Sequence, residues 1–191
     1  MRFLTFALPT LTISLAAMAP AVAGTYAVDP THTNATFEAS HYGTSTNRGR
    51  FGKVEGTVQF DRQARTGAVN INIDVAGLTT GTAAFDKHLH SPDFFNVAVH
   101  PVAKFSGDRL SFSGDKVAEV TGVLTMLGKS NPVTLKANHF NCYTNPMLKR
   151  EVCGGDFEAT IDRTQWGMDF GVSFGIPKSV RIVIQVEAIA Q

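Results

Sequence analysis

The chain has 191 residues, 43% of them apolar, and a formal charge of +1. That length and apolar content suit one domain with a sizeable core. A near-neutral balance of 17 basic and 16 acidic side chains lacks the basic field that nucleic-acid binding needs.

Met1-Arg2 opens with a positive charge, and residues 3–19 then run apolar and uncharged up to Ala21-Val22-Ala23. This is the pattern of a secretory leader cleaved after a small-x-small site, and residues 1–23 are expected to be removed. Pro9 and several threonines break the run, which is short for a membrane span. Residues 24–191 remain as one domain, formally neutral once Arg2 is gone. Export implies an oxidising compartment.

From there the sequence reads as strand after strand. Ala35, Phe37 and Ala39 alternate with polar residues, and so do Val54, Gly56, Val58 and Phe60. Arg48, Arg50 and Lys53 between them read as a solvated face. After a turn at Arg65-Thr66-Gly67, Val69, Ile71, Ile73 and Val75 share one parity. Ala83 to His90 loses the alternation and is stopped by Pro92, which predicts a short helix covering one barrel mouth. A turn at Ser113-Gly114-Asp115 precedes Val120, Gly122, Leu124 and Met126 on one face. A turn over residues 128–132 leads to Val133, Leu135 and Ala137. Cys142 and Cys153 flank the turn signal Asn145-Pro146, and an exported close pair predicts a disulfide. Cys153-Gly154-Gly155-Asp156 reads as a further turn, and Val180, Ile182, Ile184 and Val186 form the last dry face. Period-two alternation with short links predicts at least eight antiparallel strands. The alternation itself leaves open a two-sheet sandwich or a closed barrel.

Several segments resemble the YceI family in order and spacing. They are Tyr26-Ala27-Val28-Asp29-Pro30-Thr31-His32-Thr33, Phe37 with His41, Gly43 and Ser45, and Gly49-Arg50-Phe51 with Glu55-Gly56. Asp86-Lys87-His88-Leu89-His90-Ser91-Pro92-Asp93-Phe94-Phe95 is similar to that family's most specific motif. Thr121-Gly122 with Leu124-Thr125 and Gly128, Pro132-Val133-Thr134-Leu135, and Ile161, Arg163 and Gly167-Met168 complete the series. The resemblance implies an all-β, lipocalin-like, eight-stranded antiparallel up-and-down barrel with a short helix near the mouth. It also implies a periplasmic protein, in some members stress-linked, that holds a polyisoprenoid or similar long-chain amphiphile, such as an isoprenoid quinone, in its lumen. Phe85 stands where the family usually has arginine, and Trp166 where phenylalanine is common. The cysteine pair resembles one subset of the family.

The chain carries 14 Phe against 3 Tyr and 1 Trp, and Phe lines a dry cavity without needing hydrogen bonds. Phe37, Val58, Phe60, Ile71, Ile73, Phe105, Leu124 and Met126 are expected on the inner face, with Met126 and Met168 adapting to a tail. Trp166 joins them through the family position. Phe51 falls off the parity of Val54 and Val58, which calls for a bulge or an outward side chain. Phe85, Leu89, Phe94 and Phe95 are expected at the mouth, and His41 is the histidine best placed for a polar head. The competing expectation is a metal-assisted enzyme using Asp86, His88 and His90 at the mouth. A helix points residues two apart in different directions, which weakens it. Gly171-Val172-Ser173-Phe174-Gly175 matches a nucleophile elbow in letters, but a strand rather than a helix is expected after it. The reading is therefore a non-catalytic binder with no cofactor and no metal. Its partner is a lipid rather than nucleic acid, and it is not membrane-embedded; a homodimer is left open.

Overall fold

The computed structural model describes residues 23–191. Of the expected leader, residues 1–23, all but Ala23 lie outside the described residues. Ten strands and one α-helix follow in the order β1 (Gly24–Val28), β2 (Asn34–His41), β3 (Ser45–Arg50), β4 (Val54–Asp61), β5 (Thr66–Asp74), α1 (Ala83–His90), β6 (Val102–Ser113), β7 (Lys116–Met126), β8 (Lys129–Thr144), β9 (Glu151–Asp162) and β10 (Ser179–Ala190). Every pairing is antiparallel, and β1 meets β10 to close the sheet.

Register shows why ten segments make an eight-stranded barrel. β10 pairs with β2 from Val180↔Ala39 to Gln185↔Asn34, and then with β1 from Ala188↔Val28 to Ala190↔Tyr26. β1 and β2 are thus one barrel strand, interrupted where the Asp29 carboxylate accepts from the Thr31 N–H and hydroxyl at 2.9 and 2.6 Å. β3 on β2 and β4 on β1 form a second broken strand, interrupted at residues 51–53. Each of the eight barrel strands lies beside its chain neighbour, which is the up-and-down order, and the β1–β10 pairing closes the sheet, with the outer side of β3 joined only by the Arg50↔Thr79 bridge.

The helix spans the same residues as the sequence reading. Residues 75–101 carry it across one end of the barrel, where Asp86 accepts from the Thr79 hydroxyl at 2.7 Å and from the Thr80 N–H and hydroxyl, both at 2.6 Å. Two expectations need correction. Gly154-Gly155 is not a turn but lies inside β9, where strands approach so closely that a Cβ would strike the carbonyl oxygens of Val186 and His139. The reversal sits at Asn145-Pro146 instead, where the Asn145 side-chain oxygen accepts from the N–H groups of Met147 and Leu148. Ser130, Asn131 and Pro132 likewise belong to β8, and only residues 127–128 turn.

Candidate functional site

Alternation turns one face of every strand inward, and those side chains are almost all aliphatic or aromatic. They surround a cavity of about 170 Å³ lined from nine of the strands and the 51–53 break. A cavity of roughly 150 Å³ with comparable walls stays dry and admits benzene, so this lumen has room for a small apolar group without rearrangement. Val58, Val69, Ile71, Ile73, Leu124 and Ile184 line it and are only half-buried, although they face away from bulk water. Their uncovered surface is what a tail would bury.

The lining residues with polar side-chain atoms are already engaged. The Tyr26 hydroxyl donates to Glu151 Oε1 at 2.6 Å, and burial together with that carboxylate pushes its pKa up to about 12. Arg62 Nη2 reaches Glu151 Oε2 at 3.3 Å, so the three side chains bridge β1, β9 and the turn after β4. The Thr33 hydroxyl faces the Glu187 carbonyl at 3.3 Å. Cys153 is bonded to Cys142 in the expected disulfide, across directly paired positions of β8 and β9 whose Cα atoms lie 4.1 Å apart.

Of the side chains singled out in the sequence, Val58, Phe60, Ile71, Ile73, Phe105, Leu124 and Met126 line the lumen. Phe51 lines it too, because the break between β3 and β4 shifts the parity and turns the ring inward. The others lie elsewhere. Phe37 packs edge-on against Phe51 at 6.2 Å, and Phe51 against Phe95 at 5.7 Å. Leu89, Phe95, Trp166 and Met168 are buried in this cap, where Trp166 Nε1 donates to the Leu124 carbonyl at 3.0 Å. Phe85 and Phe94 pack partly buried on its outer side. These expected mouth residues therefore form a plug. His41 is exposed at the end of the β2–β3 hairpin, outside the lumen, with its ring against Tyr42. Lining residues that the sequence reading did not assign to the lumen include Tyr26, Val117, Phe140 and Phe157. Val117 was masked by an irregularity in β7, where Glu119 faces Ser111 and Val117 faces Phe112, which takes Val117 off the parity of Val120.

Asp86, His88 and His90 do not converge on a centre. Asp86 is saturated by Thr79 and Thr80, whose hydrogen bonds hold its carboxyl below the usual range. His88 Nε2 lies 3.3 Å from Asp93 and its ring packs against Phe94 and Phe170, while His90 Nε2 lies 3.0 Å from the Leu78 carbonyl. Gly171–Gly175 encloses a single 3-10 turn, with glycine in the left-handed region at both ends and no elbow geometry. Arg163 is buried beneath this loop, donating to the carbonyls of Pro177, Met168 and Phe170, which fixes the cap.

Residues 26–188 match the YceI-like domain family. A UPF0312 protein of Shewanella denitrificans is 33% identical over 176 residues, covering 88% of this chain and 89% of that one. A UPF0312 protein of Pseudomonas savastanoi pv. phaseolicola is 38% identical over 120 residues, and the match spans only 62% of its length. Among solved structures, a polyisoprenoid-binding domain of Saccharophagus degradans implicated in plant cell wall breakdown has a TM-score of 0.65 at 15% identity. It covers 89% of this chain and 99% of that one.

Proposed function

The chain belongs to the YceI-like family, and from that premise we propose that it is an exported binding protein. It holds the apolar tail of a polyisoprenoid or comparable long-chain amphiphile in the barrel lumen and catalyses no reaction. The observation that carries this is the lumen itself: an apolar cavity of about 170 Å³ walled by half-buried aliphatic side chains. Hydrophobic transfer supplies roughly 0.8 kcal/mol per buried methylene, and no lining polar group is free to act as nucleophile or base among the described residues. The leader pattern and the disulfide support a periplasmic location. Residues 24–191 act as one lipid-binding domain.

Titration with detergent-solubilised isoprenoid alcohols of increasing length tests the reading. Affinity should rise with each unit until the lumen is full and then level off. Affinity independent of chain length would overturn it. The present cavity has room for a small apolar group, so longer tails require an end of the barrel to part.

A further inference from the structure

The two ends of the barrel are closed differently. At the α1 end the closure is deep, with Phe37 on Phe51, Phe51 on Phe95, and Leu78, Leu89 and Trp166 buried around them. At the opposite end a single cluster closes the lumen. Phe60 meets Tyr26 and Phe140 edge-on at 6.4 and 5.7 Å and stacks on Phe112 at 6.2 Å. Among the described residues, the turns at residues 62–65, 114–115 and 145–150 and the two ends of the described chain lie beyond it, and Phe112 and Phe140 stay partly exposed.

The wall also parts at that end. The β5–β6 ladder stops at Val69↔Gly107, while β5 continues on β4 to Thr66 and β6 continues on β7 to Ser113. The matching gap at the α1 end, between β8 and β9, is filled by the 3-10 turn Arg163–Trp166. The β5–β6 gap is bridged by side chains: Leu110 leans over Gly67, and Arg65 reaches the Phe112 carbonyl at 3.2 Å.

Beside this thin closure stands an apolar tip. Met147 is 89% and Leu148 44% exposed at the β8–β9 turn. The tip is held by Asn145 and by the disulfide beneath it, so little chain entropy remains to be lost on docking. Arg65, Lys116, Lys149 and Arg150 have no carboxylate partner among the described residues. Among the acids of this end, Asp61 is buried and accepts from Ala64, Glu151 is paired with Arg62, and Glu187 faces Tyr143, which leaves Asp115. An apolar tip flanked in the same turn by the unpaired cations Lys149 and Arg150 complements the headgroup region of an anionic bilayer. The α1 end also exposes apolar rings, Phe174 at 73% and Tyr42 at 51%. It sets them among Asp93, Asp162 and Asp169 as well as Lys87, Lys129 and Lys178, with no excess of positive charge.

We propose that the end opposite α1 is a membrane-docking face: it seats on an anionic phospholipid surface and loads the lumen through the Phe60 cluster and the β5–β6 gap. The loading step rests on the isoprenoid reading of the lumen, whereas the docking step stands without it.

Flotation of cargo-free protein with phosphatidylcholine vesicles, with and without phosphatidylglycerol, tests docking. The protein should float with the anionic vesicles and be released by salt. Met147→Ser/Leu148→Ser and Lys149→Gln/Arg150→Gln should each cut the bound fraction by about tenfold at unchanged melting temperature, because they remove the exposed apolar area that docking would cover and the charge respectively. Phe174→Ser should leave it unchanged. Transfer of a fluorescent polyprenol from those vesicles should slow in the tip variants, with equilibrium affinity for detergent-solubilised polyprenol retained. Absence of anion-dependent flotation, or loss on Phe174→Ser with none on the tip variants, overturns the proposal. Protein that floats but takes up no polyprenol in detergent keeps the docking face and removes the isoprenoid reading. Protein that binds polyprenol in detergent but does not float does the reverse.

Discussion

Replacing Val69 with Phe separates a hollow lumen from a packed one. Val69 lines the cavity and faces Gly107 across the ladder, so no side chain opposite it competes for the space. The substitution adds about four carbons to the inner wall, which at about 0.8 kcal/mol each removes about 3 kcal/mol of ligand burial, on the order of a 100-fold loss of affinity. Stability should move the other way. In a packed core the insertion would cost roughly 1–3 kcal/mol. In a hollow lumen the ring gains contacts, so stability should hold or rise by up to about 1 kcal/mol, roughly 2–4 °C in Tm for a chain this size. Thermal unfolding and titration with a solubilised polyprenol read the two effects. A lower Tm with unchanged affinity would refute the reasoning, because the space beside Val69 would then already be full.

Removing both cysteines, as Cys142→Ala/Cys153→Ala, opens a short closed loop worth about 3 kcal/mol in the chain-entropy model. Tm should fall by about 6–12 °C, and reductant should reproduce the fall in the parent protein; unchanged melting in either case contradicts this. Tyr26 has a folded pKa of about 12 against an ordinary 10.0, so its contribution is complete below pH 10 and is lost as pH rises through 12. Denaturant unfolding of Tyr26→Phe across that window should show a shallower loss of stability, and an identical slope would count against the Glu151 latch. The Asp86 carboxyl titrates below its ordinary value because Thr80 and Thr79 donate to it, so its contribution is present above that value and lost as pH falls. Asp86→Ala should accelerate hydrogen exchange at Thr80 and along α1 while the strand amides stay protected; uniform acceleration would mean the cap is not a separate unit.

Strand faces were legible because period two is a local property. Ile71 and Ile73 point inward wherever β5 sits, as do Leu124 and Met126 on β7. The helix was legible because alternation stops at Ala83 and Pro92 follows. What failed depended on partners distant in sequence. Gly154-Gly155 carries a turn signal, yet both glycines serve the close approach of neighbouring strands. The parity of Phe51 could not be carried across residues 51–53, because the break exists only when β3 pairs with β2 and β4 with β1. Leu89, Phe95, Trp166 and Met168 share the composition of a ligand wall. Only the packing of the β5–β6 and β9–β10 connections makes them a plug. His41, expected at a polar head group, is carried past the rim by the β2–β3 hairpin.

Native mass spectrometry of the protein purified from its native host, followed by organic extraction, tests the binding reading most directly. The expected result is a one-to-one adduct whose extracted mass belongs to an isoprenoid or similar long-chain amphiphile, displaced in Val69→Phe. A clean ligand-free mass, from protein that also rejects added isoprenoids in detergent, would contradict it.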